Sequence, residues 1–213
     1  MKKFTSLKDL LIEELADLLD SGAQLITALP KMAQACQSST LKASLENYLK
    51  VTKDQANRLQ DIFSNTEHNH PGRVCRALKS LIREYEELVN KGEKGPARDA
   101  AIISIVQRVA RYEIDGYKTA REHAADLGFI KMLALVEETL KEERAMNFHL
   151  NELAQSMINV QAIDPKGTQQ EDKPQERSLN NGAKGFYIPV SRFISEGNPN
   201  IQEPPEKGKE KDQ

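Results

Sequence analysis

The stretch "VQRVARYEIDGYKTAREHA", residues 106–124, decides how this chain folds. Val106, Val109, Tyr117, Ala120 and Ala124 return at the spacing of one face of an α-helix, with no trace of strand-type alternation. Glu113 falls on that same inward face. A carboxylate taken out of water without a partner is costly, so it must meet a metal, a cation, a proton or a water molecule.

Working outward, the same periodicity runs from Ser6 to about Ser156. The first helix is predicted to start at Ser6, with Asp9 in the acidic position of a capping box. Its stripe is Leu7, Leu11, Leu15, Leu18, Leu25, Leu29 and Met32, and Pro30 is expected to kink or break it. A second helix is predicted over 40–64 with Leu41, Leu45, Tyr48, Leu59 and Ile62 inward, ended by the turn residues "NTEHNHPG". A short third covers 74–90, and "NKGEKGP" (90–96) closes it. The fourth spans 97–127, and the fifth follows "LGF" with Leu133, Val136, Leu140, Leu150 and Leu153 inward.

Four long helices with one short helix between the second and third long ones give an all-α, ferritin-like four-helix bundle. The short helix serves as the crossover that an up-down-up-down bundle does not need. Residues 1–158 form this bundle. Beyond them, 159–213 are rich in Pro, Gly, Gln and charge and are expected to be a largely irregular, flexible tail. Inside that tail Phe186, Tyr187, Ile188, Val190, Phe193 and Ile194 crowd into nine positions. Such an apolar island docks onto its own bundle, a dimer mate or a separate protein partner.

The 213 residues, 38% hydrophobic and 29% charged, suit one globular domain plus irregular sequence. A formal charge of -2 supplies no field to hold nucleic acid or an anionic membrane. No stretch approaches the roughly 20 apolar residues of a membrane span, and charges interrupt the opening residues where a secretory signal needs an apolar run. Cys36 and Cys75 form no metal-binding or disulfide spacing, which points to two ordinary thiols in a reducing cytoplasm. His68 and His70 read as an ordinary turn, and no phosphate loop, dinucleotide fingerprint or nucleophile triad is present.

Carried through the midpoint of the bundle, the stripes bring in Gly22, Thr52 with Gln55, Glu113 with Gly116, and Glu143 with Asn147. A carboxylate-bridged pair of iron or manganese ions takes about four carboxylates and two imidazoles. This row offers two carboxylates and no histidine, because His123 and His149 lie off the stripes. Glu113 is expected to be held by Gln55, Asn147 or Tyr112, by a proton shared with Glu143, or by Arg108 or Arg111; the alternative places it at the helix edge, reaching water.

The segments "LKDLLIEELADLLDSGAQLITALPKMA", "RLQDIF", "RDAAIISIVQRVARYEIDGYKT" and "ETLKEE" resemble the YciE/YciF-type stress proteins, a ferritin-like family. The resemblance covers roughly residues 6–156. It implies a helical bundle, usually a homodimer, with a metal centre in members that keep the ligands. At the matching positions this chain has Gly22 for a glutamate, Val51 and Gln55 for a Glu–His pair, Ala110-Arg111-Tyr112-Glu113 for "EHYE", and Asn147 for an acidic residue after Glu143. The resemblance therefore implies a divergent member in which Glu113 and Glu143 are vestiges of a metal site. The functional expectation is a non-catalytic, stress-related structural or interaction protein with no cofactor. Its alternative is an iron- or manganese-binding oxidase or storage protein using Glu113 and Glu143.

Overall fold

A computed structural model describes residues 5–64 and 72–163. The described chain is helical, in the order α1 (Leu7–Ala35), α2 (Ser39–Ser64), α3 (Arg76–Lys91), α4 (Pro96–Asp126) and α5 (Ile130–Leu153). α5 runs on through a π-helical turn (Ala154–Ile158) into a last α-helical turn, α6 (Asn159–Ala162). The apolar docking residues expected in the tail, Phe186, Tyr187, Ile188, Val190, Phe193 and Ile194, lie outside the described residues.

Local chemistry sets the helix ends. The Ser6 side chain accepts from the Asp9 amide at 3.1 Å while Asp9 accepts from the Ser6 amide at 3.1 Å, so the capping box is complete. Pro96 opens α4, where its missing N–H costs nothing. Gly128 turns the chain into α5 with φ of 68°, a conformation that side-chain-bearing residues adopt at a cost. Pro30, expected to kink or break α1, does not break it: the helix continues to Ala35. One missing backbone hydrogen bond is outweighed there because Ala28, Leu29, Met32 and Ala33 on both sides of the proline are all buried.

The four long helices close a ring. Asp17 and Ser21 of α1 meet Tyr112 and Glu113 of α4, and Tyr48, Gln55 and Arg58 of α2 meet Glu143, Glu142 and Thr139 of α5. Glu14 and Leu18 of α1 lie against Gly116 of α4 whereas Ser21 meets Glu113, and Tyr48 of α2 meets Glu143 of α5 whereas Arg58 meets Thr139, so residue numbers run in opposite senses and each of these pairs is antiparallel. α2 and α4 therefore point the same way, and the chain must travel the length of the bundle between them. α3 is the second half of that crossover. It lies along the outside of α1 and α4, with Leu78 and Tyr85 buried beneath it. The core divides into two apolar clusters, one towards the α3 end around Leu29, Met32, Tyr48 and Val106, the other around Leu15, Leu59, Tyr117 and Leu140. The polar layer described next lies where the two meet.

Candidate functional site

At the centre of the bundle Glu113 is 3% exposed and Glu143 is fully buried. Each helix of the ring contributes a group. From α1, Ser21 donates to Glu113 Oε1 at 2.8 Å. From α2, the fully buried Tyr48 hydroxyl lies between the two carboxylates, 2.6 Å from Glu143 Oε2 and 3.3 Å from Glu113 Oε2. Two helical turns further along α2, Gln55 donates to Glu143 Oε1 at 2.9 Å. Thr52, on the same face, turns its hydroxyl to the Tyr48 carbonyl at 2.8 Å. Outside this layer Arg58 holds Glu142 through two bonds of 2.6 and 2.7 Å, fixing α2 against α5.

The electrostatics follow from burial. Desolvation, reinforced by the charge of Glu143, pushes Glu113 up to about 8. Desolvation pushes Glu143 up to about 7, although hydrogen bonds from Tyr48 and Gln55 favour its ionised form. Tyr48 is pushed well above its ordinary range, first by burial and then by the two carboxylates, so it is a phenol and never a phenolate. The layer thus contains two acids that titrate as a pair near neutrality, tied through one hydroxyl.

Sequence reasoning misplaced several partners. Neither Tyr112 nor Asn147 holds Glu113. Tyr112 faces the crossover, where its hydroxyl donates to Asp17 and accepts from the Cys75 thiol at 3.4 Å. Asp17 also takes Arg73 at 2.8 Å, and burial, which alone would raise it, is outweighed by Tyr112 and Arg73, leaving it below the usual carboxylate range. Asn147 is half-buried, and its Oδ1 has no partner among the described residues. Arg108 pairs with Glu84 on α3, and Arg111 is exposed. Ser21 and Tyr48, the groups that do bond Glu113, were passed over: Ser21 sits beside Gly22 in the gap of the Leu18–Leu25 stripe, and Tyr48 reads as apolar. A polar residue filling a gap in a leucine stripe is the signal that would have found Ser21.

The donor set does not fit a pair of metal ions. Two carboxylates supply at most two negative charges against the four or more of two divalent cations, and Ser21, Tyr48 and Gln55 already occupy their oxygens with proton donors. Among the described residues no three His, Cys, Asp or Glu side chains gather as a ligand group. What the arrangement does chemically is tie the four long helices to one another through one run of buried hydrogen bonds.

Comparison with known proteins bears on this frame. Residues 6–163 match a family described only as a domain of unknown function, DUF892. Protein YciF of Escherichia coli (strain K12) is 34% identical over 158 residues, which are 74% of this chain and 95% of that one. The chain belongs to the YciF family. The crystal structure of the E. coli stress protein YciF superposes with a TM-score of 0.70 at 33% identity, covering 73% of this chain and 99% of that one. YcfI from Rhodopseudomonas palustris, provisionally described as a structural protein, gives 0.67 at 32% identity over 70% of this chain and 96% of its own. Both matches concern the bundle; about a quarter of this chain has no counterpart in them.

Proposed function

We propose that this YciF-family chain is a non-catalytic, ferritin-like bundle that serves the stress response as a structural or interaction protein, its centre held by a proton where other ferritin-like bundles use metal. The observation that carries the reading is the single Tyr48 hydroxyl set between Glu113 and Glu143. One phenol proton serves only one carboxylate, and the nearer Glu143 takes it. With a proton on Glu113, the longer contact becomes a donation from Glu113 to the phenol oxygen. The chain then runs in one sense, from Glu113 through Tyr48 to Glu143, with Ser21 and Gln55 at its ends. In support, YciF is named a stress protein and YcfI is described as structural. Among the described residues no helix is long and apolar enough to cross a membrane, and both cysteines are free, which suits a cytoplasmic protein.

Metal analysis tests this. Protein purified from cells grown with excess iron and manganese, then titrated with ferrous iron without oxygen, is expected to hold well under one equivalent per chain. About two equivalents lost together in Glu143→Gln would overturn the reading and restore a metal-using one.

A further inference from the structure

A groove of about 330 Å³ opens between α1 and α3. It exists because the α1 side chains beneath the crossover are small: Ala23, Thr27 and Ala28 do not fill the space left by Ile82 and Tyr85 of α3. Its volume falls within the range of small-molecule sites, roughly 300–1,000 Å³. The polar groups around it are uncommitted. Lys31 on the α1 wall and Glu86 on the α3 wall are both exposed. Neither has an ion-pair partner among the described residues, so they do not pair with each other across the groove. Lys31 is also the sole charge that α1 carries from Ser21 to Ala35, so it is no part of a generally charged, solvated face. Tyr85 is only 5% exposed, yet its hydroxyl has no hydrogen-bond partner among the described residues. Gln24 is anchored through its amide nitrogen, which donates to Asp20 at 2.5 Å and to the Cys75 carbonyl at 3.1 Å, and its carbonyl oxygen accepts from no donor among the described residues.

A cation and an anion that line one apolar groove without meeting define the charges of what fits there. A ligand with a single charge satisfies one wall and sets its apolar part beside the unpaired charge of the other, which costs desolvation without return. A ligand with an ammonium and a carboxylate satisfies both. We infer that the α1–α3 groove binds a zwitterionic small molecule of the aromatic α-amino acid class, its carboxylate on Lys31, its ammonium on Glu86 and its ring against Ala28, Ile82 and Tyr85. The ring supplies the apolar area, and an offset stack on Tyr85 adds to it. This site shares no residue with the central layer, so it goes beyond the scaffold reading and the two fail separately.

Titration of the isotope-labelled full chain with phenylalanine, followed through its amide NMR shifts, tests this. Saturable shifts are expected along residues 23–31 and 82–86, with a Kd that is millimolar or tighter, as a ligand of about a dozen non-hydrogen atoms allows. Phenylpropionate keeps the ring and the carboxylate, and phenethylamine keeps the ring and the ammonium. Each is expected to bind about ten-fold or more weakly than phenylalanine, having lost one of the two charge contacts. Lys31→Gln is expected to weaken phenylalanine to a similar extent and to leave phenethylamine unchanged. Glu86→Gln is expected to weaken phenylalanine and to leave phenylpropionate unchanged. Both side chains are exposed and unpaired, so neither substitution is expected to alter helicity. No saturable shift in the groove up to about 20 mM phenylalanine overturns the inference. So does binding indifferent to both substitutions, or analogues that bind as well as the amino acid.

Discussion

The two central glutamates hold their protons longer in the folded chain than in the unfolded one, where a glutamate has a pKa near 4.5. The native state is therefore the proton-richer state between about pH 4.5 and 8. Stability is expected to fall as pH rises through that window, by an amount on the order of a few kcal/mol, and to level off above it. Denaturant unfolding at fixed ionic strength across pH 5–9 measures this slope. Glu113→Gln imitates the protonated acid, its amide oxygen accepting from Ser21 and its NH2 supplying the proton to Tyr48. This variant is expected to flatten the slope and to be more stable than wild type at pH 8 by about 1–2 kcal/mol. A wild-type stability that rises from pH 5 to pH 8 would sink the shared-proton account. At this scale the sequence disclosed which residues lie inward, Glu113, Glu143 and Gln55 among them, because stripe membership depends only on periodicity. It did not disclose who bonds whom. Whether Glu113 meets Tyr48 or Tyr112 depends on the rotation and sliding of α2 and α4, and neither leaves a mark in either helix alone.

Helix ends and crossovers were more legible, because they depend on local chemistry. The capping box at Ser6, the proline start of α4 and the glycine turn before α5 follow from residues within a few positions of one another. The third helix begins at Arg76, after the exposed Val74, two residues later than periodicity suggested. Long-range caps escape such reading. Asp99, 1% exposed in the first turn of α4, accepts from the backbone amides of Gln37 and Ser38 at 2.9 and 2.7 Å and so ties the α1–α2 corner to the start of α4. Asp99→Ala leaves two amides without their acceptor and is expected to cost about 1–3 kcal/mol. Chemical denaturation should give this loss with an unchanged dependence on denaturant concentration. A loss below about 0.5 kcal/mol would mean that water replaces the carboxylate.

For the molecule as a whole, the up-down-down-up order is what the sequence made plainest, since a short helix between two long pairs leaves few other ways to connect a bundle. The crossover is also its most lightly fastened part: α3 buries only Leu78 and Tyr85, against ten or more side chains in each of α1, α2 and α4. A layer attached so thinly should lift away at a lower free energy than the bundle needs to unfold. Cys75 gives that event a visible label. It is the residue before α3, fully buried, its amide bound to Asp20 at 2.7 Å and its carbonyl to Gln24 at 3.1 Å. Cys36, at the end of α1, is 6% exposed. Ranked by static exposure, Cys36 would react first with a thiol reagent. If the crossover breathes by itself, Cys75 reacts first, by about ten-fold or more under native conditions and with little sensitivity to dilute denaturant. The comparison needs only the two single cysteine-to-serine variants. One sulfur atom beneath the crossover thus becomes a clock for how often this fold opens its side door while its centre stays shut.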